Sequence, residues 1–376
     1  MVDTAADKGL EGVVAASSAI CTVDGLKGVL IYRGYDIHDL AQNSTFEEVV
    51  HLLWHGELPT RAQLEQLKRD LGANMALHPE VIALIKRLPT EQGPQPVLRT
   101  AFSAMALYDP DGPDMSPEAN QRKALRTTAQ MGTLVAAIQR RAEGSEPIAP
   151  RPDRSVAWNF MHMLQGKEPD EVTTRVMDVA LILHADHELN ASTFAARVTA
   201  ATLSDYYSAI TSALGALFGP LHGGANSGAI KMLRDIGRPE RASQWVREAL
   251  GRHERIMGFG HRVYKVYDPR AEELKKMSKA LAQQQGDLTL YQISEQIEGV
   301  MRQDKHLFPN VDFYSASTYT ALGIPGPLFT PIFAVSRIAG WSAHVLEQYA
   351  HNRLIRPRAE YIGPRDRKYV PLDQRG

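Results

Sequence analysis

Residues 258–270 bring groups of different chemistry into one short stretch, GFGHRVYKVYDPR. His261 can act as an acid or a base, and it follows two glycines that let the chain turn sharply around a ligand. Lys265 suits a phosphate, and Arg270 suits a carboxylate because its planar guanidinium can bond both oxygens. Asp268 and the proline after it are typical of a helix start. An ordinary loop that enters an exposed helix is the alternative interpretation.

Two further segments contain side chains that could take part in catalysis. His222 lies in GPLHGG at residues 219–224, where glycines disfavour regular helix. A neutral imidazole there could donate a hydrogen bond to a developing negative charge. Asp312 follows PNV at residues 309–311 and could act as a general base. An acidic residue that opens a helix is more commonly a cap, which is the alternative for Asp312.

Arg337 and a pair of histidines are the remaining candidates. Arg337 interrupts the apolar run FAVSRIA at residues 333–339, and a buried arginine must be paired, so a binding site and an ion pair are both open. His184 and His187 lie in HADHELN with acidic residues nearby, which invites a metal-site interpretation. The usual zinc helix places its histidines four residues apart around a glutamate, and no cysteine or third histidine stands at ligand spacing. The sequence therefore predicts no metal.

Three of these segments resemble the citrate synthase family, both in their residues and in their order: GPLHGGAN at 219–226, GFGHRVYKVYDPR at 258–270 and PNVDFYS at 309–315. The resemblance runs from about residue 25 to the C-terminus and is nearest to a compact bacterial branch that includes 2-methylcitrate synthases. It implies an all-α, two-domain homodimer in which a small domain closes over a large one. The small domain would span residues 223–325, and the large domain residues 1–222 and 326–376.

The resemblance also implies a catalytic role for three residues. Asp312 would remove a methyl proton from acetyl-CoA, while His222 donates a hydrogen bond to the thioester oxygen. His261 would polarise the ketone of oxaloacetate and then protonate the alkoxide that forms. Water would finally release CoA from the citryl thioester. No metal or other cofactor is implied, because acetyl-CoA is a substrate.

Substrate ligands follow from the same resemblance. Oxaloacetate would be bound by His187, Arg270, Arg337 and, from the partner subunit, Arg356. The segment after His187 is one residue shorter than the HEGGN of animal-type enzymes, which leaves the role of Asn190 open. An ordinary solvated lysine is the alternative for Lys265. The implied CoA contacts are Arg255, Ile256, Met257, Gly258, Phe259, Lys265 and Asn310.

The acyl substrate is less certain from sequence than the reaction. Methylcitrate enzymes of the family often carry Tyr at the place of His184 and Leu at the place of Val311, so this chain favours acetyl-CoA and citrate. Propionyl-CoA and 2-methylcitrate are the alternative, because one methylene in an apolar pocket discriminates by only about 1–3 kcal/mol. A metallohydrolase based on His184 and His187, or a non-catalytic helical scaffold, would be a different class of protein.

Composition indicates an ordinary soluble protein. With 42 basic and 43 acidic residues, the net charge of −1 provides no general attraction to nucleic acid or to an anionic membrane. Cys21 is the only cysteine, which excludes an internal disulfide and suits a reducing cytoplasm. The sequence has neither an 18-residue apolar run nor a basic-then-apolar leader pattern. We therefore expect a cytoplasmic protein without a nucleic-acid or membrane partner.

Helices must position these side chains, because apolar residues recur at helical spacing along most of the chain. A hairpin near the N-terminus is the only convincing strand signal. The elements that matter most are predicted to be a hairpin with strands at 13–20 and 29–32 around a turn at 23–25, a long Ala-rich helix at 192–217, a short helix that begins at Asp312, and a long apolar helix at 328–351 that contains Arg337.

Overall fold

Sixteen α-helices and one small antiparallel sheet form the regular structure of the described residues, 8–10, 12–223 and 225–375, in a computed structural model of the chain. The predicted all-α class is confirmed. The helices are α1 Ile37–Asn43, α2 Phe46–His55, α3 Arg61–Ala73, α4 Pro79–Arg87, α5 Pro94–Met105, α6 Pro117–Ala142, α7 Val156–Gln165, α8 Glu171–His184, α9 Ala191–Ala201, α10 Tyr206–Leu217, α11 Ala225–Ile236, α12 Pro239–Gly251, α13 Pro269–Gln285, α14 Thr289–Lys305, α15 Val311–Ala321 and α16 Phe329–Ala350.

The N-terminal sheet has three strands instead of the predicted two. β1 (Cys21–Asp24) pairs with β2 (Val29–Tyr32), and β2 pairs with β3 (Tyr35–Asp36), both antiparallel. The second strand was predicted correctly, but residues 13–20 do not form a strand. The turn also begins later than predicted, because Asp24 is the last residue of β1. Its Oδ1 accepts hydrogen bonds from the N–H groups of Leu26 and Lys27, at 3.1 Å each.

The predicted long helix at 192–217 is in fact two helices. α9 ends at Ala201, and α10 begins at Tyr206. Between them Leu203 has a φ of +63°, which a continuous helix does not allow. Asp205 then caps α10, since its side chain accepts a hydrogen bond from the N–H of Ser208 at 3.0 Å. The Ala-rich composition favours helix throughout this region and so did not indicate the break.

α16 is the central element of the larger helical group. It packs against α2, α6, α8, α9 and α10, and most of its side chains are buried. A helix that is apolar nearly all round must be enclosed on all sides, which explains this position. Neither α16 nor any other helix among residues 8–10, 12–223 and 225–375 is both long and apolar enough to cross a membrane.

Helices α11 to α15 form a second group that packs mainly within itself. α13 also contacts α1 and α8, and α11 also contacts α16. The group lies within the predicted small domain, residues 223–325, whose boundaries remain a prediction. The candidate site residues come from this second group and its loops, from the segment between α10 and α11, from the turn after α8, from α16 and from the segment after α16.

Candidate active site

The loop that contains His261 is fastened to the start of α15. Gly258 and Gly260 have φ values of +84° and +80°, and a Cβ on Gly258 would lie 2.7 Å from the Cβ of Phe313. The Asn310 backbone N–H donates to the Gly258 carbonyl at 2.9 Å, and its side-chain amide donates to the Gly260 carbonyl at 2.9 Å. The loop and the first turn of α15 therefore form one structural unit.

The N-terminal sheet supports the same loop from its other side. The backbone N–H of Lys265 donates to the carbonyl of Gly25 at 2.8 Å. A Cβ on Gly25 would lie 2.2 Å from the carbonyl oxygen of Val263, so only glycine permits this close approach. The sheet therefore helps to position a loop that lies far from it in sequence.

One buried carboxylate, that of Asp268, holds both Arg270 and α15. Its oxygens accept hydrogen bonds from Nε and Nη2 of Arg270 at 2.9 and 2.7 Å. They also accept from the backbone N–H groups of Arg270 and Val311, at 3.1 Å each. Burial raises the pKa of Asp268, but Arg270 outweighs it and the net shift is downward. The sequence indicated the helix cap but not this pairing, which the Asp-Pro-Arg spacing could have suggested.

His261 has a defined tautomer because of its own backbone. Its Nδ1 accepts the N–H groups of Val263 and Tyr264, at 3.0 and 3.1 Å. A neutral ring must therefore carry its proton on Nε2. Burial, followed by the positive charge of Arg270, lowers the pKa of His261 to about 4, so the ring is neutral at pH 7. His261 thus presents an Nε2–H donor.

His187 lies next to His261 and next to a residue that the sequence did not reveal, Tyr264. The ring centroids of His187 and His261 are 5.4 Å apart, and His187 Nε2 lies 3.3 Å from the Tyr264 hydroxyl. The guanidinium carbon of Arg270 lies 5.9 Å from the centroid of the Tyr264 ring. Tyr264 therefore joins three candidate site residues, although its position between His261 and Arg270 was its only signal in sequence.

Asp312 lies in the first turn of α15, close to the two buried arginines. The helix cap is Asn310, whose side-chain oxygen accepts the Asp312 N–H at 3.0 Å, so the cap interpretation of Asp312 is wrong. Burial raises the pKa of the Asp312 carboxyl to about 6, while Arg270 and Arg337 oppose this shift. The half-buried carboxylate is thus more basic than an ordinary aspartate and still ionised at pH 7.

His222 contacts Ser192, which the sequence also did not reveal. His222 Nε2 lies 2.9 Å from Ser192 Oγ, and Ser192 Oγ lies 2.7 Å from Asn190 Oδ1. Ser192 has one proton to donate. In this structure it donates to Asn190, whose oxygen can only accept, so His222 donates through Nε2; if the hydroxyl turns to His222 Nε2, the neutral ring carries its own proton on Nδ1. Burial lowers the pKa of His222 to about 4, so the ring is neutral in either case.

Arg337 is buried in α16 and faces the turn after α8. Its Nε donates to the carbonyl of His184 at 2.6 Å. The His184 ring lies edge-on to Phe333 at 4.2 Å, and its Nδ1 donates to the Ala180 carbonyl at 2.7 Å. Burial lowers the pKa of His184 to about 3, so its Nε2 is an unprotonated acceptor. Arg337 therefore has a defined support, and part of the guanidinium remains available.

The two histidines that suggested a metal site have different partners. His184 bonds to a carbonyl of its own helix, whereas His187 contacts Tyr264. In the part of the chain that the structure describes, no three His, Cys, Asp or Glu side chains are arranged to hold a metal ion. Each of the two histidines therefore has a hydrogen-bond partner of its own among the described residues.

Arg356 lies away from the other candidates. It is exposed and lines a groove of about 1420 Å³ between the segment before β1 and the end of α16. None of His187, His222, His261 or Asp312 lines this groove. Within one chain, the structure does not bring Arg356 to the cluster of the other six predicted catalytic and oxaloacetate-binding residues.

The residues predicted to contact CoA fall into three groups. Arg255 and Lys265 are exposed cations, and Lys265 Nζ donates to the Arg262 carbonyl at 2.9 Å. Ile256 is buried, which leaves only its backbone for a ligand. The half-buried Met257 packs over Gly228. The remaining three residues, Gly258, Phe259 and Asn310, belong to the loop unit described above.

Comparison with known proteins decides the family. A family model described as "Citrate synthase, C-terminal domain" matches residues 9–358. The chain belongs to the citrate synthase family. The resemblance carried by the three motifs is thereby confirmed, and the protein is an acyltransferase-type enzyme.

Relatives named citrate synthase and relatives named 2-methylcitrate synthase are both similar to nearly the whole chain. Citrate synthase 2 of Bacillus subtilis is 53% identical over 371 residues, which cover 98% of this chain and 99% of the relative. A 2-methylcitrate synthase of Shewanella oneidensis is 43% identical over 368 residues, covering 98% and 97%. Overall similarity therefore leaves the acyl substrate to be decided by individual residues.

Solved structures of citrate synthases share this fold. The enzyme from Pyrobaculum aerophilum has a TM-score of 0.92 and 44% identity, covering 98% of this chain and 95% of that one. The enzyme from Thermoplasma acidophilum has a TM-score of 0.91 and 36% identity, covering 98% and 99%. That structure is a ternary complex with carboxymethyl coenzyme A and oxaloacetate.

Proposed function

We propose that this protein is a citrate synthase that condenses acetyl-CoA with oxaloacetate and uses water to release citrate and CoA. The observation that most supports this is the joining of the His261 loop to the first turn of α15. That contact brings a neutral histidine N–H donor and a basic carboxylate, Asp312, into one unit beside the buried Arg270. The non-catalytic scaffold would not require this convergence.

Oxaloacetate occupies the end of this unit that contains the cations. Arg270 and Arg337 bind its carboxylates, and His187 adds a further hydrogen bond. The Nε2–H of His261 donates to the ketone oxygen and withdraws electrons from the carbon to be attacked. The Asp268 carboxylate already accepts hydrogen bonds from Nε and Nη2 of Arg270. Because the Arg270 side chain is held in place, little of its conformational entropy is lost when the substrate binds.

The acetyl group reacts between Asp312 and His222. Asp312 removes a methyl proton, and the Nδ1–H of His222 stabilises the charge that develops on the thioester oxygen. This requires the Ser192 hydroxyl to turn its proton from Asn190 Oδ1 to His222 Nε2 when the substrate binds. The methyl carbon then bonds to the ketone carbon, and the ketone oxygen takes the Nε2 proton of His261. Water next cleaves the thioester, which yields citrate and the thiol of CoA.

CoA binds along residues 255–259, with Asn310 near the pantetheine. Lys265 contacts a phosphate, and its exposed position leaves the ammonium accessible. The protein acts in the cytoplasm as a homodimer, in which Arg356 of each subunit completes the oxaloacetate site of the other. The exposure of Arg356 and its separation from the cluster support this arrangement.

2-Methylcitrate synthesis from propionyl-CoA is the second candidate, because one similar relative bears that name. The presence of His184 and Val311 favours acetyl-CoA. Since one methylene contributes about 1–3 kcal/mol of discrimination, propionyl-CoA should be a slower substrate and not an inert one.

Release of free thiol from acetyl-CoA and from propionyl-CoA, each with and without oxaloacetate, tests the proposal. We expect oxaloacetate-dependent release with acetyl-CoA preferred, and no loss of activity with a chelator. Asp312→Asn should reduce the rate by about 10³-fold or more, since it removes the base. Asp304→Asn is the matched control, because Asp304 pairs with Arg247 on the surface. A propionyl preference would favour the second candidate, and no oxaloacetate dependence would refute both.

A further inference from the structure

The turn that leads into His187 contacts one face of α16 at three successive positions. The α16 residues are three and four apart, so they lie on the same side of the helix. Each of them touches a different residue of the turn. The contacts are Arg337 Nε to the His184 carbonyl at 2.6 Å, Gly340 N–H to the Ala185 carbonyl at 3.1 Å, and His344 Nε2 to the Asp186 carboxylate at 3.3 and 3.4 Å.

Asp186 is the most tightly held residue of this turn. It is fully buried, and the Tyr32 hydroxyl donates to its carbonyl at 2.8 Å while accepting its N–H at 3.1 Å. Its carboxylate accepts the N–H of Glu188 at 3.0 Å, and Glu188 has a left-handed φ of +54°. A Cβ on Gly340 would lie 2.4 Å from Asp186 Oδ1. His187 therefore lies between Asp186, which these contacts hold in place, and Glu188, whose N–H bonds to the Asp186 carboxylate.

His344 has one possible hydrogen-bonding pattern. Arg197 Nη1 lies 3.0 Å from His344 Nδ1, and arginine can only donate, so Nδ1 accepts. The proton of the neutral ring is then on Nε2, which points to Asp186. Arg197 is itself held by Glu347, whose Oε2 lies 2.6 Å from Nη1, and by Gln348 at 3.1 Å. None of these groups is among the residues assigned above to bind or react with the substrates.

We propose that His344 is a positioning residue for the acceptor substrate: through Asp186 it holds His187 and Arg337 in the arrangement that binds a dicarboxylic keto acid. The inference rests on the proposed function for its substrate. Asp186 supplies the link, because it directly precedes His187 in the chain. Burial lowers the pKa of Arg337, and the negative charge of Asp186 opposes this shift and so favours the cationic guanidinium. Without the His344 donor, the Asp186 carboxylate would keep the Glu188 N–H but lose the hydrogen bond that joins it to α16.

His344→Leu and His344→Gln separate positioning from simple packing. Leucine fills the space but makes neither hydrogen bond, whereas glutamine can accept from Arg197 and donate to Asp186. We expect His344→Leu to raise KM for oxaloacetate by about 10- to 100-fold, by analogy with the loss of hydrogen-bond partners behind metal-ligating side chains. KM for acetyl-CoA and kcat should change by less than about threefold, and His344→Gln should recover most of the oxaloacetate affinity.

His51→Leu is the matched control, because His51 is a buried histidine on α2 that donates to the Glu57 carbonyl at 3.0 Å. It should lower Tm without changing KM for oxaloacetate. Asp186→Asn provides a second variant if His344→Leu does not fold, and it should raise KM for oxaloacetate selectively by about tenfold. An unchanged KM, or equal impairment by the Gln and Leu variants, would overturn the proposal. A wild-type protein without oxaloacetate-dependent thiol release would instead refute the proposed function.

Discussion

At the scale of single residues, the site depends on where protons reside. His261 receives two backbone N–H groups on Nδ1 and so must offer Nε2–H. His222 has two alternatives, and the orientation of one serine hydroxyl selects between them. Burial keeps both histidines neutral and makes Asp312 more basic. General acids and a base with separated pKa values can therefore operate in one site at pH 7.

The pH dependence of kcat/KM for acetyl-CoA should reflect Asp312. The residue must be ionised to accept a proton, and its pKa is raised to about 6. The rate constant should therefore rise with pH to about 6 and level off above it, while His222 and His261 stay neutral across this range because their pKa values are about 4. Steady-state rates from about pH 5 to pH 9 measure this profile. An acid limb centred near the ordinary aspartate pKa would contradict it.

At the scale of elements, helix caps and glycines were readable from the sequence, but contacts between distant segments were not. The helix start at Asp268 and Pro269 was predicted because capping is local. The contact of Ser192 with His222 depends on tertiary packing, so no local pattern identified it. The pairing of Asp268 with Arg270 is local, but it was missed because Asp268 was interpreted only as a helix cap. The catalytic candidates themselves were found through motif resemblance, because residue types alone favoured a cap for Asp312 and left a packed loop histidine open for His222.

The break between α9 and α10 and the missing strand at residues 13–20 have the same kind of cause. A threonine and an aspartate in the segment between the helices bond to nearby backbone groups and compete with helix continuation. Residues 13–20 have strand-like composition but no partner strand, and β1 instead pairs from Cys21 onward. In both segments composition predicted the type of element, helix or strand. The bounds of the helices are set by capping, and those of β1 are set by its pairing with β2.

Gly258→Ala should show how strongly the loop and α15 depend on each other. A Cβ at a φ of +84° is strained, and it would also approach Phe313 to 2.7 Å. We expect the free energy of unfolding to fall by about 1–3 kcal/mol and KM for acetyl-CoA to rise. Denaturant unfolding and steady-state kinetics measure the two effects. Gly251→Ala is the control, since its Cβ would meet no neighbour within 4 Å and it ends α12. Equal behaviour of both variants would contradict the prediction.

At the scale of the whole molecule, a hybrid dimer tests whether Arg356 acts across subunits. Mixing Arg356→Ala with Asp312→Asn subunits and allowing exchange gives hybrids with one intact site, if Arg356 serves the partner. We then expect about a quarter of wild-type activity in a statistical mixture, although each parent variant is nearly inactive. If Arg356 acts within its own chain, mixing should restore nothing. Light scattering on the same samples establishes whether the protein is a dimer.

Closure of the predicted small domain, residues 223–325, is a second prediction for the whole molecule. We propose that the α11–α15 group moves toward α16 when both substrates bind, which would exclude water and complete the site. Small-angle scattering should show a smaller radius of gyration with oxaloacetate and an unreactive CoA analogue present together. Superimposable curves with and without these ligands would count against closure.

Asp268 imposes a constraint on how this enzyme could evolve. The same carboxylate holds Arg270, which we assign to substrate recognition, and the Val311 N–H, which sets the turn that presents Asp312. A mutation that loosens Arg270 to admit a different keto acid would therefore also displace the base. Selectivity for the acceptor and the rate of proton removal should show strong epistasis at this position. Variants with new acceptors should arise more readily through changes at His187 or Arg337, whose hydrogen bonds described above are to Tyr264 and to the His184 carbonyl and not to α15.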